Sequence, residues 1–163
     1  MLAPEDMQEA KLRITPQWVA GFLDGEGSVH VNKCTADGKL YFTVSVRITQ
    51  KDPKILFLIC EIIGSYGSFG THLGVSDTRA ATVTWNGKSA LPILNYVKDH
   101  VIVKRREVET AIQICALIGG RRGRHNQQRM KDRKELCGKL YELNQKNKQT
   151  LLSKEHKDAE SVA

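Results

Sequence analysis

The sequence predicts an α+β fold: a four-stranded antiparallel sheet with helices over one face. Three observations predict it. Period-two alternation, cleanest from Tyr41 to Thr49, marks strands. Two helix-starting dipeptides, Thr15-Pro16 and Asp52-Pro53, each open an apolar run with helical spacing. The elements follow in the order helix, two strands, helix, two strands, then helices, with tight turns between paired strands.

Each element has its own signature. Thr15 is the N-cap and Pro16 the first residue of a short helix that runs to about Asp24, with Trp18, Val19, Phe22 and Leu23 at helical spacing. Gly25 and Gly27 end it. Val29 and Val31 alternate with Ser28, His30 and Asn32 in a first strand, and Asp37-Gly38 is a hairpin signal. On the return, Phe42, Val44, Val46 and Ile48 form an apolar face, against Tyr41, Thr43, Ser45, Arg47 and Thr49 on the other. Asp52 caps a second helix, rich in Ile and Leu, which stops at Gly64. A second hairpin follows, with strands near Tyr66 to Leu73 and Arg79 to Asn86, where Ala81, Val83 and Trp85 alternate with Thr82 and Thr84. Ser89 caps a helix holding Leu91, Ile93, Leu94 and Val97. A longer helix covers about Lys104 to Ile118. Beyond a basic loop at Gly119 to Arg124, a last amphipathic helix runs from about Gln127 to Asn147. Residues 1–13 read as a polar leader, 14–150 as one domain, and 151–163 as a disordered charged tail.

Composition narrows the function. The chain has 163 residues, with 25 Lys and Arg against 18 acids, a formal charge of +7. That balance favours an anionic partner, nucleic acid ahead of membrane lipid. Four cysteines stand far apart with no CxxC pair, so they read as buried thiols in a reducing compartment rather than zinc ligands. No run approaches the ~18 apolar residues that span a bilayer, and the start lacks the apolar core of a secretory signal. The expected location is intracellular: an organelle (chloroplast or mitochondrion) or a prokaryotic cytoplasm.

The stretch that carries chemistry is Trp18 to Asn32, WVAGFLDGEGSVHVN, where Glu26 stands between two glycines at a helix-to-strand junction. Such an acid is either a solvated turn residue or a carboxylate pinned at a helix end for chemistry. WVAGFLDGEGSV resembles the LAGLIDADG motif of the homing endonucleases, and the element order αββαββα is that family's order. The resemblance covers roughly residues 14 to 118, and the fold it implies has a DNA-binding sheet and extra C-terminal helices. Only one copy of the motif is present, and single-motif members act as homodimers. Ala20, Gly21 and Gly25 remove side-chain bulk from the first helix, so two such helices can approach closely about a two-fold axis. Trp18, Ala20, Gly21, Asp24 and Gly25 are the interface residues expected from this.

The resemblance implies the chemistry. Glu26 matches the family's metal-binding catalytic acid, and the Gly25 carbonyl a second ligand. The expected cofactor is Mg²⁺, with Mn²⁺ able to substitute and Ca²⁺ binding without supporting cleavage. The flanking glycines would let a phosphate approach without a Cβ clash. Gln50 matches a glutamine that positions active-site water. Lys104 matches a lysine beside the metal, in a register left open by Arg105 and Arg106, and Lys54 is a further candidate cation. Asp24 matches a non-catalytic acid, with a structural role at the helix end.

A two-stranded ribbon fits the major groove. At ~3.3 Å per residue, a ten-residue strand follows roughly ten base pairs, so a dimer would read a pseudo-palindrome twice that long. The candidate readers on the first hairpin are Ser28, His30, Asn32, Lys33, Lys39, Tyr41, Thr43, Ser45 and Arg47. On the second they are Ser68, His72, Arg79, Thr82 and Thr84. Arg121, Arg122, Arg124 and His125 either contact phosphates or sit in solvent. The expected function is an intron-encoded, site-specific endonuclease that cuts both strands of double-stranded DNA and leaves short 3′ overhangs. The alternatives are a maturase that binds intron RNA and a non-cleaving DNA-binding regulator.

Overall fold

In the computed structural model, which describes residues 13–36, 39–73, 79–118 and 125–160, the α+β architecture is present. Helix α1 (Pro16–Glu26) leads into β1 (Gly27–Ala36) and β2 (Lys39–Gln50), then α2 (Pro53–Ile63), β3 (Ser68–Leu73) and β4 (Arg79–Asn86). A 3₁₀ turn (Gly87–Ala90) precedes α3 (Leu91–Val97), α4 (Arg105–Ala116) and α5 (His125–Glu160). The four strands form one antiparallel sheet in the order β1-β2-β4-β3.

Local chemistry sets the boundaries. Thr15 Oγ1 accepts from Trp18 N at 3.2 Å, and Asp52 Oδ1 accepts from Lys54 N at 2.9 Å, so both proline-marked helices begin with a side-chain cap. Gly64 closes α2 with φ 63°, a left-handed conformation that glycine adopts at no steric cost. The β1–β2 register pairs Ala36 with Lys39, and the hairpin signal Asp37-Gly38 itself lies outside the described residues. Ser89, expected as a helix cap, sits inside the 3₁₀ turn, where it accepts from Asn86 N at 3.0 Å. Helix α5 runs on to Glu160, past the end expected near Asn147; no proline interrupts the segment.

The core lies between the apolar face of the sheet and the helices. Val29, Val44, Val46, Ile48, Val83 and Trp85 face Val19, Leu23, Leu56, Ile59, Leu94, Val108, Ile114 and Leu140. Each such side chain contributes on the order of 1.5–3 kcal/mol by leaving water. The Trp85 indole Nε1 donates to the Ser65 carbonyl at 3.0 Å, so its one polar atom is satisfied. Helix α5 is tied to the first hairpin by Arg133, whose Nη2 donates to the Phe42 carbonyl, and by Asn144, whose Nδ2 donates to the Val29 carbonyl at 3.0 Å. Cys60, Cys115 and Cys137 are buried free thiols. Burial pushes the Cys115 thiol up to about 11, so it is held in the unreactive protonated form. No helix of the described residues is long and apolar enough to cross a membrane.

Candidate active site

Glu26 is the last residue of α1, exposed where helix turns into strand. A helix C-terminus carries carbonyls without intrahelical donors and the negative end of the helix dipole. A carboxylate added there deepens the negative potential, which favours a cation. Gly25 is exposed beside it, and a Cβ built on it would meet nothing within 4 Å. The space outside the helix end is open. Gly27 is different, because a Cβ there would stand 2.4 Å from Leu23 Cδ1 and 2.7 Å from the Leu23 carbonyl oxygen. Gly27 is glycine for its own chain's sake, and Gly25 alone leaves room for a ligand.

The residues that flank this end come from a distant segment. Asp24 Oδ2 accepts from Ile102 N at 2.8 Å and Val103 N at 3.1 Å, and its Oδ1 accepts from Lys104 N at 3.0 Å. The Lys104 ammonium donates back to the Asp24 carbonyl, two residues before Glu26. A cation at helix-end carbonyls is well placed electrostatically. Burial lowers the pKa of Lys104 from its ordinary value, and the charges of Asp24 and Glu107 oppose that. The basic register resolves: Arg105 and Arg106 are exposed, while Lys104 turns onto α1. Lys54 lies exposed in the first turn of α2. Buried Glu107 went unnoticed in the sequence, although its i,i+3 spacing from Lys104 was a usable signal.

Gln50 ends β2 opposite Ala81 of β4, two residues past Ile48, which pairs with Gly27 where β1 begins. Its Oε1 accepts from Lys51 N at 2.7 Å, so the side chain is folded onto its own backbone. Among the described residues no three His, Cys, Asp or Glu groups converge. Glu26 is the carboxylate this helix end can bring to a cation, beside the Gly25 carbonyl, and phosphate, water or a second copy could supply further ligands.

The interface expectations need one correction. Ala20 is fully buried in the chain's own core, because adjacent helical residues point about 100° apart and Ala20 shares its side with Val19 and Leu23. Asp24 stays half-buried at the helix end, with its carboxylate hydrogen-bonded within the chain. The exposed stripe of α1 includes Gln17, Trp18 at 38% exposure, Gly21 and Gly25, with Phe22 stacked on Trp18 at 5.0 Å between centroids. Ile102 and Val103, 82% and 72% exposed, sit beside the same helix end. The sequence reading passed over this pair.

The polar face of the sheet gathers most of the expected DNA readers in rungs. Ser28 stands opposite Arg47, Arg47 opposite Thr84, and Thr84 opposite Ser68. Asn32 pairs with Thr43, and His30 with Ser45. Burial and the Arg47 charge lower the pKa of His30, with Asn32 opposing. Two readers are corrected. Ser45 has no exposed surface, and Thr82 only 2%. Both are short side chains on the two central strands, and the Thr82 hydroxyl is hydrogen-bonded to Thr49 Oγ1 at 2.9 Å. Lys33, Lys39, Tyr41, His72 and Arg79 hold strand positions, but their side chains lie outside the described set, as does that of His125. Arg121, Arg122 and Arg124 lie outside the described residues altogether.

The model of the LAGLIDADG endonuclease family matches residues 19–108, more than half of the chain. The chain belongs to the LAGLIDADG family. The matched segment runs from α1 into α4 and includes Glu26, Gln50 and Lys104. A curated relative, the intron-encoded DNA endonuclease ai2b of Dictyostelium discoideum, is 25% identical over 92 residues. Those residues are 56% of this LAGLIDADG chain and 34% of the relative, so the chain matches about a third of that protein's length. The fold is that of I-CvuI solved with its target, at TM-score 0.61 and 18% identity over 82% of each chain. The archaeal intron-encoded I-Vdi141I, solved with DNA, aligns at TM-score 0.59 and 22% identity over 85% of this chain and 84% of its own.

Proposed function

We propose that this LAGLIDADG protein is an intron-encoded, Mg²⁺-dependent homing endonuclease. It works as a homodimer and cuts both strands of a long pseudo-palindromic DNA site, leaving short 3′ overhangs. The observation that carries the reading is the end of α1. Glu26 is exposed there beside an open Gly25, and Lys104 is drawn to the same helix end by Asp24. Support comes from relatives: the Dictyostelium protein is named a DNA endonuclease, and I-CvuI was solved on its own target in 2 mM Ca and on the I-CreI target in 2 mM Mg, that DNA not being cleaved.

The donor set fits a hard divalent ion, which takes oxygen ligands and keeps waters. Glu26 and the Gly25 carbonyl would hold it, with one copy of each from either protomer. When bound, Mg²⁺ offsets charge on the phosphoryl oxygens and lowers the pKa of an attacking water. The chain's own groups do the rest. Helix α1 presents Glu26 at a fixed level on the ribbon. The Lys104 ammonium, held at that level, stabilises negative charge that develops on the phosphate. Gln50, once turned from Lys51 N, offers an amide to orient water. The exposed stripe of α1, with Ile102 and Val103, makes the two-fold contact that brings two Glu26 residues to opposite strands.

The test is a cleavage assay on plasmid carrying a selected site, in Mg²⁺ and in EDTA. Wild-type protein cuts in Mg²⁺ alone. Glu26→Gln keeps its DNA affinity and loses cleavage by at least about a thousandfold, as expected when transition-state charge is no longer stabilised. Cleavage by Glu26→Gln near the wild-type rate overturns the assignment. Tight binding to a valid site, DNA or intron RNA, without cleavage by wild type returns the regulator and maturase readings.

A further inference from the structure

The rung of the sheet close to the α1 end holds a donor and an acceptor side by side. Ser28 and Arg47 are Cα partners in the β1–β2 ladder. Both lie on the polar face, because Val29, Val46 and Ile48 are buried on the other. Side chains at directly opposite positions start about 5 Å apart, close enough for both heads to meet one base pair. Arg47 is exposed and can only donate, through a planar fork. Ser28 can donate or accept, and His30 decides which. Its Nδ1 lies 3.4 Å from Ser28 Oγ. Burial and the Arg47 guanidinium both disfavour the charged ring, so it carries one proton near neutral pH. With the ring proton on Nε2, the Ser28 hydroxyl donates to His30 Nδ1 and its lone pairs are left for the groove.

A donor fork beside an acceptor matches one base-pair edge. Guanine offers O6 and N7 together, and the cytosine opposite offers its N4 amino group. An A·T pair alternates acceptor, donor, acceptor, and gives the fork no pair of acceptors on one purine. We propose that Arg47 and Ser28 together read a single G·C pair in each half-site, Arg47 bidentate to guanine and Ser28 accepting from cytosine N4, with His30 as the positioning residue that fixes Ser28 as an acceptor. Ser28 follows Glu26 by two residues, so the pair lies within a few base-pair steps of the phosphate at Glu26.

This rests on the DNA-endonuclease reading, and the test separates the two. A library of duplexes with randomised half-sites is selected for cleavage by the full chain in Mg²⁺, with wild type, Arg47→Ala and Arg47→Lys. Wild type enriches sites with one fixed G·C pair at symmetry-related inner positions. Both variants relax that position and no other, and bind the wild-type site about 5- to 150-fold more weakly. Arg47→Lys keeps the charge without the fork, so it retains affinity for unrelated duplex while losing the guanine preference. In a second arm, 2-pyrimidinone, which lacks the N4 amino group, replaces the cytosine of that pair. Wild type loses affinity several-fold on this duplex, whereas Ser28→Ala and His30→Ala bind both duplexes alike. An unchanged profile for Arg47→Ala at an enriched, cleaved site overturns the proposal and leaves the endonuclease reading standing. So does a Ser28→Ala protein that remains as sensitive to the missing amino group as wild type. If no sequence is enriched or cut, the endonuclease reading falls and takes this proposal with it.

Discussion

Three backbone N–H groups converge on the Asp24 carboxylate from residues 78 to 80 positions further along the chain. Hydrogen bonds to a charged group are worth about 1.5–3 kcal/mol each, and donors left unpaired cost more than the bond alone. Asp24 therefore acts twice: it pins the start of α4, and by doing so it sets the Lys104 ammonium at the α1 terminus. Asp24→Asn keeps one carbonyl acceptor but loses the charge, and is expected to lose about 2 kcal/mol in urea unfolding. The same variant is expected to cut DNA more than about tenfold more slowly in single turnover, with an unchanged dissociation constant, because the proposed role of Lys104 is on developing charge and not on ground-state binding. Wild-type turnover by a correctly folded Asp24→Asn protein would show that Lys104 needs no such support. Local spacing could not reveal this contact. The sequence marked Asp24 as structural by its place at a helix end, but its partners lie in another element.

Helix α1 shows which features are legible at the level of elements. Its start and apolar run follow from Thr15-Pro16 and from Trp18 to Leu23, both local signals, whereas the end expected at about Asp24 lies two residues later: Gly25 is helical and Gly27 is the cap. The alternation of β2 likewise gave the correct face for every residue from Phe42 to Thr49. Alternation does not report depth. Ser45 and Thr82 are on the polar face as expected, but the central strands hold short hydroxyl side chains below the reach of a groove. Nor does a run of small residues report direction, which is why Ala20 belongs to the core and Gly21 to the surface. Ile102 and Val103 sit in a turn with no periodicity, and only the Asp24 contact brings them to α1. The proposed interface thus combines one helix stripe with one exposed apolar turn. Gly21→Leu adds bulk at the helix contact, and Val103→Glu sets like charges near each other across the two-fold axis. Both positions are exposed, so each variant should melt within a few degrees of wild type yet sediment as a monomer. A Val103→Glu protein that sediments as a wild-type dimer would remove this turn from the contact.

At the scale of the whole molecule, charge works against the proposed dimer and for the proposed DNA complex. Each chain carries a formal +7, so docking two copies brings like charges together before any DNA is present. Screening by salt weakens that repulsion, and the apolar contact of α1, Ile102 and Val103 loses little to salt. The free dimer should therefore become tighter as ionic strength rises. DNA binding must go the other way, because every phosphate neutralised by Lys or Arg releases a counterion that salt opposes. If the dimer neutralises at least about six phosphates, the logarithm of its association constant falls against the logarithm of salt with a slope near −5 or steeper. Sedimentation equilibrium of the free protein and fluorescence anisotropy on a selected duplex, each at low and moderate NaCl, measure the two trends. Opposite signs are expected. A free dimer that dissociates as salt rises would mean that ion pairs, not the apolar stripe, hold it, and would move the interface away from α1.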